Sequence, residues 1–149
     1  MTVKPGVEDA KLILSYTGKV VIGVAILLLA PIATALAAGE WDCLAYFTLS
    51  LGLSLSIGFL LAGLGATDRQ PTWMHGMVTG GFSWLVVMAV GALPYWLSGH
   101  YLSYLDAMFD VMSGFTTTGV ILIQDLDHAP LSLNMWRHLL TFVGGQGVI

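Results

Sequence analysis

Residues 20–39, VVIGVAILLLAPIATALAAG, contain no charged side chain. As an α-helix such a run is about 30 Å long, which matches the hydrocarbon core of a bilayer. Two further apolar runs follow, at roughly 43–66 and 75–97. Charged residues make up 9% of the chain, against about a quarter in soluble domains, and mean hydropathy is +0.83. There is too little charge to cover a water-facing surface, so the bilayer is part of this chain's solvent. An all-α membrane protein is expected.

The run that starts after Lys19 is longer than the apolar core of a signal peptide, and more spans follow, so it reads as a retained helix. Pro31 lies inside it and predicts a kink. GEWD, residues 39–42, reads as a tight acidic turn. In the second run Ser50, Ser54 and Gly58 recur at helical spacing, a small and polar stripe suited to close helix packing. TDRQPTW, residues 67–73, is the next loop, and Gly76 and Gly80 form a small-xxx-small pair at the start of the third run. A last apolar helix is expected from about Asn134. Its 16 residues to Ile149 fall short of a span, and the chain reads as an N-terminal piece of a longer protein.

Lys and Arg set the orientation. Lys4, Lys11 and Lys19 precede the first span and Arg69 lies in the second loop, whereas the first loop holds only Glu40 and Asp42. The N-terminus and the Arg69 loop are therefore expected in the cytoplasm, and residues 40–42 and 122–130 outside. The net charge of −4 and the lack of a basic patch give no basis for nucleic-acid binding. The single Cys43 excludes an internal disulfide and a multi-cysteine metal site. His75 and His100 would stand about 37 Å apart on one helix and could not share a haem.

The segment DAMFDVMSGFTTTGVILIQDLDHAP, residues 106–130, breaks the apolar pattern with four carboxylates and three consecutive threonines. Ser103 and Asp106 have the spacing of a capping box, and Leu105, Met108, Phe109 and Met112 recur at helical spacing. Gly114 is a natural stop. The resulting helix is about half a bilayer long. Threonines then disfavour helix, and Gly119 permits a backbone conformation other residues resist. One structure that satisfies this pattern is a re-entrant pore helix whose negative C-terminal end faces the membrane interior. An extended strand would follow it, with carbonyls and threonine hydroxyls able to ligate a monovalent cation. The other is an external amphipathic helix followed by a solvated loop. Asp110 either anchors the short helix or raises local cation concentration by its field. Asp125 and Asp127 read most simply as solvated. Arg137 is expected to pair with a carboxylate or cap carbonyls.

DAMFDVMSGFTTTGV resembles the first pore loop of the Trk/Ktr/HKT superfamily of potassium and sodium transporters. SWLVVMAVGALPYWLSG before it resembles the family's outward helix, and NMWRHLLTFVGGQGVI after it resembles the start of the inward helix. The first two spans resemble the extra helix pair of Trk-type members. The resemblance implies a potassium-channel-like helix–pore-loop–helix repeat over residues 75–149 with its last helix truncated. A helix pair over 19–66 and a cytoplasmic tail over 1–18 precede it. It assigns Thr116, Thr117, Thr118, Gly119 and Val120 to a selectivity filter, with potassium at Thr117, Thr118 and Gly119. Asp110, Ser113 and Gly114 support the pore helix, and Arg137 is structural. It implies potassium uptake across the inner membrane without an organic cofactor or covalent chemistry. It also implies a homodimer of the full-length chain and a cytosolic nucleotide-binding regulatory subunit. A sodium-permeable or symporting member of the same superfamily and a non-conducting structural segment are the alternatives.

Overall fold

The structure, a computed structural model, describes residues 6–67 and 70–147. It is all-helical, and three helical stretches are long and apolar enough to cross a membrane: Val7–Ala38, Trp41–Leu64 and Trp73–Leu97.

The first stretch begins at Val7, inside the segment read from sequence as a polar tail. Helix α1 (Val7–Leu27) starts there because Asp9 accepts a hydrogen bond from the Gly6 amide at 2.9 Å, and Glu8 and Asp9 favour the positive helix end. Lys11 reaches back to Glu8 at 2.9 Å, one turn away. Helix α2 (Leu29–Ala38) continues it after a break at Leu28. Pro31 causes the break as the sequence leads one to expect, for it brings no N–H to the Leu27 carbonyl four residues back. Gly39, at φ +72°, closes α2, and the chain turns straight into α3 (Trp41–Leu64).

The α1–α3 contact is built on missing side chains. A Cβ on Gly18 would stand 2.5 Å from the Ala62 amide nitrogen and 2.6 Å from the Gly58 carbonyl oxygen, and one on Gly58 would meet Ile22 at 2.6 Å. Ser50 and Ser54 lie buried on the same face, and each hydroxyl donates to the carbonyl one turn earlier, at 2.7 and 2.6 Å. The stripe of small residues thus permits backbone-to-backbone approach, which is how helices associate where lipid is as apolar as leucine. Gly18→Val is expected to lower stability by about 1–3 kcal/mol through overpacking. Gly52→Val, at a position with open space around it, is expected to be neutral. Thermal unfolding in detergent compares the two, and equal melting temperatures would refute the packing account.

The third candidate span, Trp73–Leu97, agrees with the run expected at 75–97 and consists of α4 (Trp73–Gly91) and α5 (Leu93–Leu97). Pro94 breaks it, by denying a donor to Val90. A Cβ added at Gly76 or Gly80 would meet nothing within 4 Å among the described residues; the two line an apolar groove between α1 and α4 that Phe115 and Val143 also border. Helix α6 (Tyr104–Phe115) and α7 (Leu131–Gly147) complete the order. Trp136 anchors α7, fully buried, edge-on to Phe47 of α3 and with its indole N–H donating to the Gly91 carbonyl at 3.1 Å.

The hydrogen bonds sort the connections into two ends. At one end Thr67 donates to Glu8 at 2.7 Å, and the His75 ring nitrogen Nε2 lies 2.8 Å from Asp9. At the other, Glu40 meets Leu131 and Ser132. The N-terminal turn and the 67–75 connection therefore share one end, and the 40–42 and 130–132 connections share the other. That grouping matches the one expected from charge. Of the four basic residues on which the expected orientation rests, Lys11 and Lys19 lie in α1, and Lys4 and Arg69 lie outside the described residues.

Candidate functional site: the segment that follows α6

Helix α6 starts at the same end as Glu40. Ser103 caps it, with its hydroxyl oxygen accepting from the Asp106 amide at 3.2 Å and donating to the Asp106 carboxylate at 2.8 Å. The helix has 12 residues against 24 in α3, so it is half as long. Gly114 does not end it. The helix runs one residue further, to Phe115, and Gly114 instead faces α7, where an added Cβ would stand 3.4 Å from the Leu140 Cβ.

Four successive amides then fold back onto the last turn. Thr116 donates to Met112 at 2.8 Å, Thr117 to Gly114 at 3.0 Å, and Thr118 and Gly119 to Ser113 at 2.9 and 3.5 Å. The helix end is thereby satisfied by the segment itself. Thr117 sits at φ +56° and Gly119 at φ +80°. The first is costly for a β-branched residue, and the second is the region that favours glycine. The threonine hydroxyls are drawn together: Thr116 Oγ1 lies 2.8 Å from Thr118 Oγ1 and 2.8 Å from the Met112 carbonyl, and Thr117 Oγ1 donates to the Thr116 carbonyl at 2.7 Å. No described residue donates to the carbonyls of Thr117, Thr118, Gly119 or Val120. Residues 116 and 117 form a turn, and residues 118–123 take no regular secondary structure and join no strand ladder among the described residues. The chain nevertheless returns, and the Gln124 amide reaches the His100 carbonyl at 3.5 Å, back at the end where α6 began.

Behind the segment, Asp110 is 2% exposed and accepts from the Tyr101 hydroxyl at 2.5 Å. Ser113 is buried with its hydroxyl unpartnered among the described residues. Val120 and Ile121 are exposed. Arg137 lies half-buried in α7, and no described carboxylate is within ion-pairing distance of it, so neither partner expected for it from sequence is present. Asp125 and His128 form an exposed pair at 2.9 Å beyond the segment, and the hydrogen bond from the imidazole holds the Asp125 carboxyl below the usual carboxylate range.

Sequence reasoning missed two contributors. Glu40 caps α7: its carboxylate accepts from the amides of Leu131 at 2.7 Å and Ser132 at 3.1 Å and from the Ser132 hydroxyl. That is why α7 starts at Leu131, ahead of the expected Asn134. Glu40→Ala is expected to cost about 1–2 kcal/mol and to speed amide exchange at residues 131–134, and unchanged exchange there would contradict it. Gly144 is the second. A Cβ on it would fall 2.0 Å from the Phe115 carbonyl oxygen, whereas one on Gly145 would only touch the Thr117 methyl at 3.4 Å.

A helical chain with three stretches long and apolar enough to cross a bilayer has the make-up of an integral membrane protein. Comparison with known proteins makes this specific. Residues 48–149 match the TrkH family of cation transport proteins, and this chain belongs to that family. It is 37% identical over 99 residues to an uncharacterized cation transporter of Methanocaldococcus jannaschii, covering 66% of this chain and 21% of the relative. It is 29% identical over 143 residues to the Trk system potassium uptake protein TrkH of Halomonas elongata, covering 93% of this chain and 29% of the relative. To the protein of the same name from Escherichia coli K12 it is 32% identical over 105 residues, covering 69% and 22%. The chain thus spans less than a third of the length of these curated relatives. They are transporters, not enzymes.

Proposed function

We propose that residues 104–124 form a re-entrant pore loop and that the full-length transporter carrying this segment takes up potassium. The observation that carries the reading is the path of the chain. It descends about half the depth of a span in α6, turns at Thr116 and Thr117, and comes back to His100. Irregular backbone at that depth is tolerated only where it is buried in protein or lines a water-filled path. The carbonyls of Thr117 to Val120, which accept no hydrogen bond from described residues, are the hard oxygens that replace water around a monovalent cation. The negative end of α6 points at the same place. An external solvated loop would not need to hold a β-branched residue at positive φ. Potassium is favoured over sodium because the Halomonas and Escherichia relatives are potassium uptake proteins.

The same reading places the protein in the cell's cytoplasmic membrane, with Lys11 and Lys19 on the inner side and residues 40–42 outside. By family resemblance it works as a homodimer with a cytosolic nucleotide-binding regulatory subunit. Two measurements test the proposal. In a Cys43→Ser background, an impermeant thiol reagent should label a cysteine at position 122 in intact cells and spare one at position 70; the reverse pattern overturns the orientation. In liposomes, the full-length transporter should pass potassium well ahead of sodium. Equal fluxes would favour the sodium-permeable alternative, and no flux would leave only the structural one.

A further inference from the structure

A buried carboxylate inside a membrane protein is expensive unless a donor meets it. Asp110 has one such donor among the described residues, the Tyr101 hydroxyl at 2.5 Å. Tyr101 lies outside α6, in the connection from α5, and is itself 6% exposed. Its ring stacks on Tyr95 of α5, with centroids 5.1 Å apart and planes at 23°. The Tyr95 hydroxyl is buried and has no hydrogen-bond partner among the described residues. Tyr95 therefore contributes its ring as a backing plate, and Tyr101 alone delivers a hydrogen bond. Asp110 stands one turn before Ser113, whose carbonyl receives the amides of Thr118 and Gly119. The phenol thus grips α6 just above the turn from which the 116–119 segment hangs.

We propose that Tyr101 is a positioning residue for ion discrimination, acting through Asp110 to fix the depth and rotation of α6 and hence the aim of the carbonyls after it. This rests on the pore-loop reading. It also separates two roles for Asp110. A brace needs an acceptor oxygen at position 110, while a field that concentrates cations needs a negative charge. Tyr101→Phe keeps the ring on Tyr95 and removes only the grip. Asp110→Asn keeps an acceptor for the phenol and removes the charge.

The test is potassium uptake against sodium competition in the full-length transporter, with membrane abundance measured for each variant. Tyr101→Phe should reach the membrane and lose about three- to tenfold in potassium-over-sodium discrimination, the upper figure corresponding to about 1.4 kcal/mol. Asp110→Asn, which keeps a weaker acceptor for the phenol, should lose clearly less discrimination than Tyr101→Phe. A merely structural role would lower abundance or melting temperature and leave the ratio alone. Should Tyr101→Phe fail to insert, Asp110→Leu takes its place against Asp110→Asn, since the leucine removes the acceptor. Unchanged discrimination in Tyr101→Phe, with Gly119→Ser impaired, overturns the brace and spares the pore loop. Equal losses in Tyr101→Phe and Asp110→Asn overturn it in favour of the field. Unchanged discrimination in Gly119→Ser overturns the pore reading and the brace with it.

Discussion

In the full-length transporter, Gly119→Ser is expected to cut potassium-over-sodium discrimination roughly tenfold while membrane abundance stays near normal. The reason is backbone conformation and not space. Gly119 sits at φ +80°, and an added Cβ would meet nothing within 4 Å among the described residues. A serine there must either bear the strain of the left-handed region, about 1–2 kcal/mol, or rotate out of it. Rotation re-aims the Gly119 carbonyl and breaks the long 3.5 Å hydrogen bond from its amide to Ser113. Selectivity is a difference between two binding free energies, so a loss of about 1.4 kcal/mol in that difference is tenfold. Since the site is open around the Cβ, insertion and helix packing have little cause to suffer. Were the segment a solvated surface loop, the same change would shift stability by less than about 0.5 kcal/mol and leave ion discrimination untouched. Uptake assayed against rising sodium, with abundance by blot, decides; an unaltered sodium competition curve at normal abundance removes Gly119 from the filter.

The sequence spoke clearly wherever the cause of a feature is local. Apolar length marked the spans, Pro31 marked the break after α1, and Ser103 with Asp106 marked the start of α6, because each signal lies within a turn of its effect. Pro94 carried the same kind of signal for the break between α4 and α5, and an apolar run that continued through it hid the break. Where the cause lies far along the chain, the sequence was silent. Glu40 caps a helix that begins 91 residues later, and no spacing rule pairs them. Tyr101 is close to Asp110 in number, yet its use as a donor depends on the α5–α6 connection folding over α6. Arg137 was expected from its cost alone to pair with a carboxylate or cap carbonyls, and the packing of α7 offers it neither among the described residues. The glycines divide along the same line. Gly39 and Gly119 have positive φ, which turn chemistry hints at, whereas Gly18, Gly58 and Gly144 are defined by what stands opposite them.

Gly144→Ala is accordingly expected to be the most damaging single-methyl change in the chain, and Gly145→Ala, its neighbour, nearly silent. The two are indistinguishable in the GGQG run. In the fold they face different things. The new methyl at 144 would lie 2.0 Å from the Phe115 carbonyl oxygen, 2.6 Å from its carbonyl carbon and 2.8 Å from its Cα. All three are backbone atoms of the residue that ends α6, so no side chain can swing away to make room. Either α7 withdraws or α6 shifts, and overpacking of this kind costs about 1–3 kcal/mol. Withdrawal would pull on Trp136, locked between Phe47 and the Gly91 carbonyl, and on the Glu40 cap, so α7 is held at its far end. At the α6 end the residues after Phe115 are held by the hydrogen bonds of Thr116 to Gly119 to the last turn, with the Tyr101 grip on Asp110 lying further back along the helix. The displacement is thus directed into the segment proposed to bind ions, and uptake should fall by more than about tenfold, a loss of about 1.4 kcal/mol or more. At 145 the methyl meets only the Thr117 Cγ2 at 3.4 Å, an ordinary contact, and uptake should stay within about twofold. Measuring both variants for uptake and for thermal stability in detergent tests the geometry directly. Equal behaviour of the two alanines, mild or severe, would show that α7 does not press on Phe115 at Gly144.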